Sequence, residues 1–208
     1  MQSKDTTSKV EEQGLRNLQS DYLIQKFFGY MSERKYLETI RYNKSIQKRI
    51  NININHYKAY SEEYSSIELD IIPIKGKYGE FINIEEDDKK YFHIYFNDNK
   101  KNEITSLNID DNVSKISIII DYQIKSFSKL FYYCKCIESI EFKKFCRNNI
   151  TYMRSMFEGC LNLKELNLNN FNTNNVTDMS YMFYGCLDEL KIKIKSKFKN
   201  FKEEAFKN

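Results

Sequence analysis

The chain has 208 residues, 41% of them hydrophobic and 30% charged, enough apolar material for a core and too much for a disordered polar tail or a fibre. No run approaches eighteen apolar residues, which excludes a membrane-spanning helix. Residues 190–208 hold seven lysines and two glutamates, so they carry the whole formal excess of +4. The body of the chain is close to neutral, and no specific nucleic-acid partner is indicated.

Residues 1–19 are polar and mixed in charge and read as a disordered tail. They contain no apolar segment of the kind a secretory signal needs, which sets the expectation of a cytoplasmic protein. Residues 20–60 read as a helical module. Leu23, Phe27, Tyr30 and Met31 share one helical face, and Leu37, Ile40 and Tyr42 follow Ser32, a residue suited to an N-cap. Ile46 to Ile50 forms a third run. The stretch QKFFGYMSERKYLETIRYNKSIQKRI resembles an F-box. That resemblance implies docking onto a Skp-type adaptor of a ubiquitin ligase. Read from its residues alone, the same stretch is a helical hairpin packed beside its neighbour, and both readings stay open.

Residues 61–121 change to a β pattern. Ile67, Leu69 and Ile71 alternate with Glu68 and Asp70, Tyr91 to Phe96 forms a second run, and Lys75–Gly79 reads as a turn between them. Val113, Ile116, Ile118, Ile119 and Ile120 form a nearly continuous apolar run, expected to be a strand buried on both faces. These strands are expected to pair antiparallel and to cap the segment that follows.

Residues 122–208 contain a repeat. Residues 150–161 read ITYMRSMFEGCL and residues 176–187 read VTDMSYMFYGCL, identical at seven of twelve positions with an offset of 26. A further step back gives IKSFSKLFYYCK from Ile124, with Tyr133 where the other units have Gly159 and Gly185. Met153, Met156 and Phe157 have the spacing of a short helix, Gly159 suits a left-handed exit, and Leu163, Leu166 and Leu168 lead into a strand. A unit of that size cannot bury its own apolar face, so units must stack.

The strings LNLKELNLNNF and FNTNNVTDMSYMFYGCL resemble the BspA-like leucine-rich-repeat family. The resemblance implies a protein-interaction scaffold and, from its bacterial members, a surface or adhesion protein as one alternative. In the last unit Ile192 and Ile194 fall in the core columns. Lys191, Lys193 and Lys195 then face outward, either protecting a terminal strand edge or binding an acidic partner or anionic lipid.

Cys134, Cys160 and Cys186 recur at the repeat period and read as a column of small buried residues. Cys134-Lys-Cys136 lacks zinc-knuckle spacing, His56 and His93 stand alone, and no phosphate loop is present. No catalytic residue, cofactor or metal is expected.

The expected fold is therefore α+β: a short leucine-rich-repeat solenoid of parallel strands and short helices, capped by the helical segment and the β region. The expected function is a non-catalytic protein–protein interaction module. Its contact columns on the outward strand positions are Ser139, Glu141 and Lys143; then Glu165, Asn167 and Asn169; then Lys191, Lys193 and Lys195.

Overall fold

The computed structural model describes residues 20–101, 103–199 and 201–207. The tail expected over residues 1–19 lies outside them. The chain divides into two compact units, Met1–Ser61 and Glu62–Asn208.

In the first unit, α1 (Asp21–Gly29), α2 (Glu33–Ile40) and α3 (Lys44–Arg49) are short helices, and α4 (Ile54–Tyr64) runs across the division. Each of the first three starts at a side chain that accepts an orphan amide. Ser20 Oγ takes the N–H of Leu23 at 3.3 Å, Ser32 Oγ that of Lys35 at 3.4 Å, and Asn43 Oδ1 that of Ile46 at 3.1 Å. Ile24, Phe28, Ile40 and Ile46 make the core of this unit, with Met31 and Tyr36 packed against it. Of the four residues expected on one face, Leu23, Phe27 and Tyr30 are exposed and Met31 packs against the core, into which Ile24 and Phe28 face.

The second unit is built on a sheet. Its strands are β1 (Ile67–Pro73), β2 (Gly79–Glu80), β3 (Phe92–Phe96), β4 (Asn99–Lys100), β5 (Ser106–Leu107), β6 (Ile116–Ile120), β7 (Ile137–Lys144) and β8 (Glu165–Asn167). Six of them form one sheet in the order β4-β3-β6-β1-β7-β8, and β2 pairs with β5 separately. Pairing is antiparallel throughout the large sheet except between β7 and β8.

This corrects the expected architecture. The unit is a mixed, mainly antiparallel sheet and not a parallel-strand leucine-rich-repeat solenoid. The β region does not sit as a cap on a separate stack of strands, because β7, the strand of the first repeat, pairs antiparallel with β1. Nor is β6 buried on both faces: Ile116, Ile118 and Ile120 are buried, whereas Ser117 and Ile119 are only half-buried.

A second correction concerns the last unit. Residues 188–197 are not a lysine-rich strand but a helix, α5 (Asp188–Lys197). At the repeat offset Glu189 occupies the place of Leu163, which is fully buried, and a carboxylate cannot enter that column unpaired. As a helix the segment buries Leu190 and Ile194, one turn apart, and leaves Ile192 67% exposed. Asp188 and Glu189 in the first turn and Lys195 and Lys197 in the last suit the helix dipole.

The 26-residue register survives in the turns that precede each of these segments. The helix expected at Met153–Phe157 is replaced by consecutive tight turns. Positive φ recurs at Lys129, Ser155 and Tyr181 and again at Tyr133, Gly159 and Gly185. Two left-handed residues four places apart in each segment forbid a continuing α-helix. The amides of Phe127, Lys129, Phe131 and Tyr133 donate to the carbonyls of Tyr152, Arg154, Met156 and Glu158 at 2.7–2.9 Å. Those of Met153, Ser155, Phe157 and Gly159 donate in the same way to Asp178, Ser180, Met182 and Tyr184.

Inside the stack, the rings of Phe131 and Phe157 lie parallel at 5.4 Å and those of Phe157 and Phe183 at 5.7 Å, with Phe206 at 5.1 Å beyond. Cys160 donates to the carbonyl of Phe131 and Cys186 to that of Phe157, both at 3.0 Å. The fully buried Arg147 ties the start of the stack to the sheet. Its guanidinium donates to the carbonyls of Asp121 (2.8 Å) and Ile124 and to Asn149 Oδ1 (2.9 Å). Burial lowers its pKa to about 10, against the pull of Asp121.

Candidate functional site: the open face of the sheet

One face of the sheet packs on the core; the other carries the polar residues of the same alternation. β1 buries Ile67, Leu69 and Ile71 and turns Glu68, Asp70 and Ile72 to the open face, where Ile72 is exposed. Register then decides which residues become neighbours. Asp70 stands opposite Ser117 of β6 and Glu141 of β7, and Ile72 opposite Ser139. The parallel pair aligns Ser139 with Glu165 and Glu141 with Asn167.

These groups bond one another. Asp70 accepts from Ser117 Oγ at 2.6 Å and pairs with Lys143 Nζ at 2.6 Å. Lys144 reaches Glu68 at 3.3 Å, Asn167 Nδ2 donates to Glu141 at 3.2 Å, and Lys164 pairs with Glu138 at 2.8 Å. Lys143 gets its position from a β-bulge: Leu69 pairs with Phe142 and Glu68 with Lys144, so Lys143 is the extra residue. Burial pushes the Asp70 carboxyl up, but hydrogen bonds from Lys143 and Ser117, with the charges of Lys143 and Lys115, hold it below its ordinary value. At one end of the face His93 Nε2 lies 3.1 Å from Asp121 Oδ2.

Of the expected contact columns, the structure brings together Ser139, Glu141, Lys143, Glu165 and Asn167. Asn169 lies past the end of β8, where its amide donates to Asn167 Oδ1 at 3.1 Å. The lysine column is broken up on α5. Lys191 pairs with Asp188 at 2.8 Å, and Lys195 pairs with Glu203 at 3.2 Å and sits 4.6 Å over the Phe206 ring. Lys193 alone returns toward the sheet, lining a groove with Glu165 and Asn167.

Sequence reasoning missed Asp70 and Ser117. Their alternation with buried isoleucines was visible, but not that β1 would lie between β6 and β7. A second exposed surface runs along the turns: the Arg154 guanidinium lies 5.7 Å from the Tyr181 ring centroid, with Tyr184 beside it, and Lys129 lies 5.5 Å from the Tyr132 centroid.

Among the described residues no cluster of His, Cys, Asp and Glu is arranged to hold a metal ion. No described helix is long and apolar enough to cross a membrane. Cys134, Cys136, Cys160 and Cys186 are buried free thiols, and Cys146 is an exposed one. Burial pushes Cys136 up to about 11 and Cys186 up to about 12, which keeps them as unreactive thiols.

A sheet with an open polar face, continued by stacked turns, defines the class of domain. Residues 98–205 match the family described as Mycoplasma protein of unknown function, DUF285, and the chain belongs to that family. No curated protein and no solved structure matches the chain. The leucine-rich-repeat description drawn from the sequence is set aside, since the matched region includes strands of the mixed sheet and the helix α5.

Proposed function

We propose that this chain is a non-catalytic protein-interaction module whose contact surface is the open face formed by β1, β6, β7 and β8. The observation that carries this reading is that the polar groups on the face are fixed before any partner arrives. Asp70 is held by both Ser117 and Lys143, and Glu141 by Asn167, around the exposed Ile72. Side chains already held in place lose little freedom on binding, and an apolar group ringed by polar ones resembles the centre of an interface.

The test is capture of partners by the full chain, compared with an Ile72→Asp/Glu141→Arg variant. A partner recovered by the wild type and depleted at least tenfold by the variant, at unchanged circular dichroism, is the expected result. Equal recovery by both chains would remove the face as the contact surface.

A second reading, a Skp-type adaptor as partner, is favoured by the exposed residues Leu23 and Phe27 on α1 and Tyr30 at its C-cap. Binding of the full chain to a purified Skp-type protein, lost in Leu23→Asp/Phe27→Asp, supports it; no binding by the wild type discards it.

A further inference from the structure

The third repeat does not add a strand, and this leaves β8 as an edge. Among the described residues β8 pairs with β7 alone. The parallel register Ser139–Glu165, Ile140–Leu166 and Glu141–Asn167 is one in which Glu165 and Asn167 bond β7, and just before them the amide of Lys164 donates to Glu138 O at 2.9 Å. By the alternation of a strand, the backbone N–H and C=O of Leu166 then point the other way. Where the next strand would lie there is a groove of about 430 Å³ between β8 and α5.

The groove has two chemistries. On its core side are Leu166 and Phe198, half-buried, with Leu190 and Ile194 deeper. On its rim are Lys193 and Lys197, one helical turn apart and both exposed. Lys164 and Glu165 complete the lining charges, three cations against one anion. An unpaired strand edge, an apolar strip and a cationic rim select an extended chain with alternating side chains.

We propose that this groove takes a segment of a partner protein as an added strand on β8, and that the segment alternates apolar and acidic residues. The proposal rests on the interaction-module reading and names the partner chemistry at one margin of its surface. Backbone bonds to Leu166 supply the register. Apolar side chains of the segment meet Leu166 and Phe198, and acidic ones meet Lys193 and Lys197. Exposed edge strands are otherwise shielded from such pairing; here, among the described residues, α5 makes no backbone hydrogen bond to the edge beside it.

The probe is a fluorescein-labelled peptide, acetyl-Gly-Val-Glu-Val-Asp-Val-Glu-Gly-amide, titrated with the full chain by fluorescence anisotropy. Saturable binding is expected, weakened at least tenfold by Lys193→Glu/Lys197→Glu. Leu166→Pro, which removes the outward N–H of β8, should abolish it. Should that variant fail to fold by circular dichroism, the same question is put to the wild-type chain with a peptide N-methylated at alternate valines. That peptide keeps charge and apolarity but cannot pair, and should bind at least tenfold more weakly.

Equal affinity for the N-methylated peptide, or undiminished binding by the double lysine variant, overturns the proposal. A concentration-dependent dimer that Leu166→Pro or the lysine variant dissolves also overturns it, by giving the edge to a second copy of the chain. Loss of partner capture in Ile72→Asp/Glu141→Arg without any peptide binding defeats the groove alone; failure of both defeats the module reading as well.

Discussion

Gly159 and Gly185 occupy the same place in successive turns, with φ of +71° and +69°, yet their surroundings differ. A Cβ on Gly159 would stand 2.7–2.9 Å from ring atoms of Tyr133, while one on Gly185 would meet only the backbone of Gly159 at 3.6 Å. Alanine at Gly185 therefore bears the left-handed backbone penalty alone, about 1–2 kcal/mol. Alanine at Gly159 adds a clash, for a total of roughly 3 kcal/mol or more. Urea denaturation of the two variants checks this, and a Tyr133→Ala background should bring the cost at Gly159 down to that at Gly185. Equal costs in the wild-type background would mean that the Tyr133 ring swings aside freely. Tyr133 itself sits at φ +55° where its counterparts are glycine, so the first turn carries strain that the other two avoid.

Among the elements, β1 has the most exacting position, between β6 and β7 with acidic residues on its open face. The Asp70 carboxyl is held below its ordinary value, so folding favours its ionised form. Its contribution is fully present above the unfolded value, near pH 4, and is lost as pH falls through the lower folded value. Asp70→Asn is expected to lose about 1–2 kcal/mol at neutral pH and little in strong acid. Stability curves of variant and wild type should thus converge on acidification, and a constant gap down to pH 2 would contradict this.

Several elements were legible in the sequence. The alternation of Ile67, Leu69 and Ile71 marks β1, Ser32 caps α2 where its position predicts, and the recurring Phe, Cys and Gly fix the period of the turns. The rest was hidden for physical reasons. Ile192 and Ile194 alternate with lysines as a strand would, but the carboxylate of Glu189 falls in a buried leucine column and the segment becomes α5. Left-handed backbone at Ser155 and Tyr181 has no side-chain signature, so methionines at helical spacing read as a helix. The open face joins Asp70 to Glu141 across 71 positions of chain, a pairing that no local pattern announces.

At the scale of the molecule, the stack of turns is closed at both ends by segments distant in sequence. Asn83 covers the first turn: its backbone amide donates to Leu130 O at 2.7 Å and its side-chain amide to Tyr132 O at 2.9 Å. The 3₁₀ segment Glu203–Phe206 covers the last, with Glu204 O and Ala205 O accepting from Tyr181 and Phe183 and the Phe206 ring on Phe183. Ending the chain at Lys202 removes two backbone bonds and a buried ring, a loss of about 4 kcal/mol. Hydrogen exchange in residues 179–185 should accelerate before that of β1 and β6; an unchanged melting temperature would contradict the capping role.

The ladder of bonds between turns has a further consequence. Amides of the seven-residue runs at Phe127 and Met153 point toward later turns and the accepting carbonyls point back, so one end of the stack presents donors and the other acceptors. Two such ends of the same kind cannot join, since donors would face donors, and a twofold-symmetric dimer through the turns is forbidden. Head-to-tail joining is the only match, and repeated it gives an open fibre rather than a closed assembly. Asn83 and the Glu203–Phe206 segment therefore act as chain terminators, keeping an inherently polymerisable surface from propagating between molecules.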